Sequence, residues 1–348
     1  VAPVRTLNDT THCLELWHGP TCAFKDMALQ MLPHLLTASL TKTEEFKTVF
    51  ILVATSGDTG KGALAGFQDV PRTKILVFYP KDGVSQVQQL QMITQEGENV
   101  GVAAVQGNFD DAQTGVKRLF SDEKLRQTLA EKGYFFSSAN SINWGRVLPQ
   151  IVYYVSAYCD LLRDEKISAG QPINVCVPTG NFGNILAAWE MGVPIAKLIC
   201  ASNSNNVLTD FIRTGTYDRN RTFYNTMSPS MDILISSNLE RLLLALTQDV
   251  DEVKGYMEQL NAAGRYQVRD AVREKIQKLF CGYCCDDKET QRVIDEVYEK
   301  YEYLIDPHTA VAVSALEQYR AETGDNTPCV VVSTASPFKF CDNVLGAL

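Results

Sequence analysis

The sequence has no apolar run of the roughly 18 residues needed to cross a bilayer. Its first residues, VAPVRTLNDTTHC, have neither the basic start nor the apolar stretch of a secretory signal. The two absences predict a globular, cytoplasmic protein with no membrane partner. Positive charge is in short supply: 32 Lys and Arg stand against 41 Asp and Glu, a net charge of −9. That balance argues against a nucleic-acid or anionic-membrane surface, so any anion has to be held by a local pocket. No second CxxC accompanies the CGYCC cluster at Cys281, Cys284 and Cys285, and the nearest histidine is His308. A zinc site needs a fourth ligand, so no metal is expected and the cluster reads as a loop between helices. The other cysteines, Cys159, Cys176 and Cys200 among them, are scattered through apolar segments. Buried reduced thiols are distributed in this way, and a disulfide framework is not. Internal repeats, low-complexity tracts and obvious linkers are also missing.

What is present is a chain of 348 residues, 45% hydrophobic, long enough for about two domains. KTVFILVAT, KILVFYP, NVGVAAVQG, INVCVPT, AKLICAS and PCVVVST read as buried strands, short and bounded by Gly, Pro or polar residues. Helical patterns lie between them, over 84–94, 110–120, 144–162 and 182–191. Strands separated by helices predict parallel sheets with covered faces, an α/β protein. The stretch 231–300 is rich in Leu, Glu, Lys and Arg and reads as consecutive helices without a strand.

Three of the expected strands run into loops of unusual composition that lead straight into helices. Ligands of open α/β folds collect at such strand ends, where glycines let the chain turn and helix N-termini offer N–H groups to anions. In VATSGDTGKGALAGF, Gly57, Gly60 and Gly62 permit close backbone approach, and Ser56 and Thr59 offer hydroxyls. A nucleotide P-loop fails on spacing, because two residues rather than four separate Gly57 from the Gly60-Lys61 pair. In CVPTGNFGNILAAW, the amides of Gly180, Asn181, Phe182, Gly183 and Asn184 can ring a phosphate at a helix start. In VVVSTASPFKFCD, Ser333 and Thr334 stand at a strand end, either aimed into a cleft or lining a turn before Pro337. A fourth stretch, SSANSINWGR, sets Asn140, Ser141, Asn143 and Arg146 around a helix start. It is either an anion pocket or a capped helix with a solvated arginine.

Lys25 breaks a local rule. In ELWHGPTCAFKDMALQMLPHLL it sits at the first turn of an amphipathic helix, where the positive helix end disfavours a cation. Desolvated among Trp17, Phe24 and apolar neighbours, its amine would lose its charge more readily than an exposed lysine does. A neutral amine can form a Schiff base with a carbonyl, and the phosphate-binding loop suggests pyridoxal 5′-phosphate as that carbonyl's carrier.

With these residues in view, the chain resembles the threonine synthases, within the tryptophan-synthase-β-like, fold type II pyridoxal-phosphate enzymes. The likeness runs through HGPTCAFKD, TSGDTG, PKDGVSQVQQLQM, GNFDDAQ, NSINWGR, VPTGNFGN, SPSMDILISSN, DPHTAV and STASPFKF. It implies two open, parallel-rich sheets covered by helices and an active site in the cleft between domains. Residues 1–45 with 165–348 would form a large cofactor domain, and 46–164 a smaller inserted one. The sequence departs from the family pattern at both ends, and the family's N-terminal segment and C-terminal extension are expected to be absent.

By the same resemblance Lys25 would hold the cofactor as a Schiff base and act as the catalytic base. Gly180, Asn181, Phe182, Gly183 and Asn184 would cradle the cofactor's phosphate, and Thr334 would reach its ring nitrogen. Asp58 would stand near the cofactor where relatives often have Asn. Ser56, Gly57 and Thr59 would grip the substrate's α-carboxylate, and Ser141, Asn143 and Arg146 its phosphate. The implied reaction converts O-phospho-L-homoserine and water to L-threonine and phosphate. The alternatives are a phospholyase giving 2-oxobutanoate and a catalytically silent cofactor binder. The implied partner is a small phosphorylated amino acid; monomer and homodimer both remain open. His308 in IDPHTAV reads as a packed side chain on a helix that Asp306 and Pro307 start.

Overall fold

The computed structural model describes residues 2–190 and 192–348. Met191, the expected last residue of the helix over 182–191, lies outside them. In chain order the strands are β1 (Val4–Asn8), β2 (Thr11–Glu15), β3 (Thr48–Ala54), β4 (Thr73–Pro80), β5 (Val100–Val105), β6 (Tyr134–Ser138), β7 (Ile173–Pro178), β8 (Ile195–Ser202), β9 (Thr216–Asp218), β10 (Arg265–Gln267), β11 (Phe280–Cys284) and β12 (Cys329–Ser333). The chain divides into a smaller unit, Trp17–Pro149, and a larger one, Val1–Leu16 with Gln150–Leu348.

The smaller unit is built on a parallel sheet in the order β5-β4-β3-β6. The apolar runs of β3 and β4 bury Val49, Ile51, Val53, Ile75 and Val77. Three helices contribute to that core: α1 (Asp26–Lys42) through Leu29 and Leu32, α2 (Asp58–Phe67) through Ala63, Leu64 and Phe67, and α3 (Gln86–Ile93) through Met92. Each fully buried Leu or Phe contributes roughly 1.5–3 kcal/mol. This packing explains a difference from the expected division: residues 17–45 join the smaller unit because α1 packs on α2. Likewise the helix expected over 144–162 starts only at Ile151, after two 3₁₀ turns, the second carrying Pro149, since proline has no N–H to donate to the carbonyl four residues back and so interrupts an α-helix there. The helix Ile151–Arg163 belongs to the larger unit.

The larger unit carries a sheet in the order β1-β2-β12-β7-β8-β11, parallel except for the β1–β2 hairpin. The helix Pro307–Thr323 lies in its core, with Val311, Ala312, Ala315 and Leu316 packed with Cys13, Cys176, Ile199 and Val331 of the strands. Asp306 caps its start, Pro307 fits the first position, and Gly324 ends it at φ +69°. The CGYCC cluster is not a loop between helices: all of it but Cys285 falls on β11, paired in parallel with β8. The stretch 231–300 is therefore interrupted by β10 and β11. Among the described residues, no helix is long and apolar enough to cross a membrane.

Candidate active site

In the smaller unit, neighbouring strands β4, β3 and β6 run parallel and end on the same side, and the segments after them carry candidate residues. After β3, Thr55 Oγ1 accepts from Gly57 N at 2.9 Å and from Gly60 N at 2.8 Å, which fixes the turn into α2. Gly57 has φ +130°, and a Cβ on it would stand 2.4 Å from the Gln88 side chain. Only glycine suits both demands. Ser56 and Thr59 are half-buried beside it.

Lys25 immediately precedes α1, and its carbonyl accepts from Leu29 N at 2.9 Å. The chain before it folds around Asp26, which accepts from Thr21 N at 2.9 Å and from Thr21 Oγ1. A Cβ on Gly19 would lie 2.5 Å from Asp26 Oδ2. This buried carboxylate supplies the negative charge that the helix start favours, so the neighbouring cation is tolerated. Lys25 is 9% exposed. Its Nζ lies 3.7 Å from Asp58 Oδ2 and 4.6 Å from the centre of the Phe24 ring. The amine is desolvated, as the sequence led one to expect. The structure adds a carboxylate facing it, that of Asp58. Asp58 is itself buried, and its Oδ1 accepts from Gln88 Nε2 at 2.9 Å.

The segment after β6 is tied to the end of β3: Asn140 Nδ2 donates to Ala54 O at 2.7 Å, and Asn140 Oδ1 accepts from Ala54 N at 3.2 Å. Asn143 donates to Ser138 O at 2.9 Å and accepts from Gly145 N at 3.0 Å, so both ends of its amide shape the loop. Arg146 is 2% exposed rather than solvated, and its Nη1 donates to Ala139 O. Burial pushes its guanidinium down to about 10. Ser141 is half-buried.

In the larger unit, Val331 on β12 is level with Cys176 on β7, so the segments leaving these parallel strands emerge side by side. One begins with Gly180, where a Cβ would lie 2.8 Å from Ser230 O. Its carbonyl accepts from Ser236 Oγ at 3.0 Å, and the Asn181 carbonyl accepts from Asn238 Nδ2 at 2.8 Å. Phe182 adopts φ +62° while its ring is buried 5.7 Å from that of Phe280. It therefore has only its backbone to offer a ligand. The bend leads into the helix Gly183–Glu190, whose first N–H groups have no intrahelical acceptor. Asn184, 7% exposed, is oriented by Tyr154, whose hydroxyl donates to Asn184 Oδ1. Its Nδ2 is buried without a partner among the described residues. A glycine that admits no side chain, a positive helix end and an unpartnered donor together suit an anionic group such as a phosphate ester.

The second segment carries Thr334, buried just past β12. Ser333 O accepts from Leu16 N at 2.9 Å, and its hydroxyl lies 3.1 Å from that of Thr309. Asp306, capping the same helix as Thr309, lies 2.6 Å from His308 Nδ1. Ser230 N donates to His308 Nε2 at 3.2 Å. A backbone N–H only donates, so Nε2 carries the lone pair and Nδ1 the hydrogen. His308 thus ties the Ser230 wall of the glycine loop to a helix start. The candidate residues therefore gather in two sets, one within each unit. Sequence reasoning gave no role to Gln88 or Ser230. Ser85 followed three residues later by Gln88 is a capping-box pattern that would have marked the first.

The family described as pyridoxal-phosphate dependent enzyme matches residues 7–335. Threonine synthase-like 1 of Homo sapiens is 45% identical over 359 residues, covering 100% of this chain and 48% of that protein. The chain thus spans about half the length of that relative. Threonine synthase of Pseudomonas aeruginosa is 41% identical over 348 residues, 99% of this chain and 71% of the relative. Among solved structures, that of PLP-bound threonine synthase from Brucella melitensis is similar with a TM-score of 0.88 at 38% identity, covering 99% of this chain and 72% of that one.

Proposed function

This chain belongs to the pyridoxal-phosphate dependent enzymes, with the cofactor and the type II fold of that family, and we propose that it acts there as a threonine synthase, converting O-phospho-L-homoserine and water to L-threonine and phosphate. The observation that carries the reading is Lys25, a buried lysine at a helix start with a carboxylate 3.7 Å from its Nζ. Buried titratable groups of this kind concentrate at reactive sites.

In this reading Lys25 Nζ would hold the cofactor covalently, the amides of Gly180, Asn181, Phe182, Gly183 and Asn184 its phosphate, and the Thr334 hydroxyl its ring nitrogen. Asp58, 3.7 Å from Lys25 Nζ, would stand near the cofactor with it. When bound, pyridoxal phosphate supplies an electron sink for the charge left as substrate protons depart. The chain's own work is to bind, orient and move protons. The hydroxyls of Ser56 and Thr59 and the backbone at Gly57 hold the substrate's α-carboxylate. Ser141 and Arg146 hold its phosphate on a loop that Asn143 keeps in shape. As a neutral amine, Lys25 Nζ would take the substrate's α-proton, give that proton up, and then take a β-proton, since its one lone pair holds one such proton at a time. Holding the amine in a fixed, desolvated place makes both transfers short.

A second reading keeps the same residues and ends in 2-oxobutanoate, a phospholyase. The 45% identical relative is named threonine synthase-like, a name that leaves the product unstated, and both outcomes need the same lysine and the same anion pocket. Purified protein given phosphohomoserine should change its visible absorbance and release threonine with phosphate in equal amounts. Release of 2-oxobutanoate instead establishes the second reading, and an unchanged spectrum with no product removes both.

A further inference from the structure

Gln88 is fully buried near the start of α3. Ser85 Oγ accepts from Gln88 N at 3.2 Å, and Gln88 Oε1 accepts from Ser85 N at 3.1 Å. Because the Ser85 N–H can only donate, Oε1 has to face it. The Gln88 amide cannot flip, and its Nε2 is committed to the other side, where Asp58 Oδ1 accepts at 2.9 Å. Asp58 then presents Oδ2 to Lys25 Nζ at 3.7 Å, within ion-pair reach and beyond hydrogen-bond length. Gly57 completes the arrangement, since any side chain there would occupy the space of the Gln88 amide.

We propose that Gln88 is a positioning residue for Lys25, acting through Asp58. By anchoring Oδ1 it holds the carboxylate near enough to balance the lysine's charge and too far to close onto the amine. The amine is then not drawn into a tight ion pair that would compete with its bond to a carbonyl carbon. The inference deepens the proposed function and rests on it only for the covalent role of Lys25.

The test uses cofactor-free protein and trace labelling with acetic anhydride, which acylates only the neutral amine, so the rate at Lys25 reports how tightly its ammonium is held. Gln88→Met keeps the volume and removes the donor, letting Asp58 swing onto Nζ; labelling at neutral pH slows about tenfold, the equivalent of one pH unit. Asp58→Asn speeds labelling. In the Asp58→Asn background, Gln88→Met has no further effect, which a general loss of packing would not reproduce. Gln88→Leu serves the same purpose if the methionine variant does not fold. A rate unchanged or raised by Gln88→Met, or lowered equally in both backgrounds, overturns the inference. Failure of the proposed function reads differently: Lys25→Ala protein would keep its visible absorbance while the labelling cycle stood.

Discussion

Around Lys25 the structure relies on side chains: Asp58 faces the amine, Gln88 holds Asp58, and Asp26 offsets the helix end. Around Gly180 it relies on backbone: a glycine pressed against Ser230 O, a left-handed bend at Phe182 and the open start of a helix. The two constructions should fail differently. A side-chain clamp weakens by degrees as its members are replaced, because each contributes one contact. A backbone cradle fails abruptly once a Cβ enters, because its neighbour is a carbonyl that cannot rotate away.

The comparison is broken most directly at Lys25. Lys25→Ala should remove the visible absorbance of the bound cofactor and lower turnover by about 10³-fold or more, read by spectroscopy and product assay. Next comes Gly180→Ala, which should weaken cofactor affinity roughly ten- to a hundredfold in an equilibrium titration of cofactor-free protein. Gly255→Ala, on a helix with nothing within 4 Å of the added Cβ, should leave that affinity unchanged. If the two alanines behave alike, the cradle is not a cradle. Tyr154→Phe sharpens the contrast. It leaves Asn184 Oδ1 without its hydroxyl donor, lowering stability by about 1–2 kcal/mol and cofactor affinity only severalfold. Both effects are measurable by urea denaturation and titration.

The smallest effect on cofactor binding belongs to the scaffold. His12 is fully buried on β2, and burial holds its imidazole down to about 4 from 6.5. Between those values the unfolded chain binds the proton and the folded one does not, so stability is full above pH 6.5 and falls as pH drops toward 4. The slope should be at most about 1.4 kcal/mol per pH unit. Urea titrations across that range should show the slope in the native chain and a flatter one in His12→Leu.

The contrast between side chain and backbone also explains what the sequence could reveal. Lys25 was legible because a cation at a helix start violates a local rule, and β3, β4, β5, β7, β8 and β12 because their apolar runs are continuous and bounded by turn residues. The hairpin strands VRTLN and THCLE are short and polar, and FCGYC on β11 holds a glycine and two cysteines that read as loop. Only pairing with neighbours makes them strands. The membership of residues 17–45 was hidden for the same reason, since it depends on Leu29 and Leu32 meeting α2 and the smaller sheet. Asp58 was visible as a residue, but its partners Lys25 and Gln88 stand 33 and 30 positions away in sequence. No local pattern joins positions that far apart.

The central claim is that the Lys25 amine carries the cofactor. Borohydride reduction of the cofactor-loaded protein, followed by proteolysis and mass mapping, tests it at the residue itself. The account predicts a pyridoxyl phosphate adduct on the peptide containing Lys25 and on no other lysine peptide. An adduct on a different lysine, or none in protein that retains its visible colour, would contradict it.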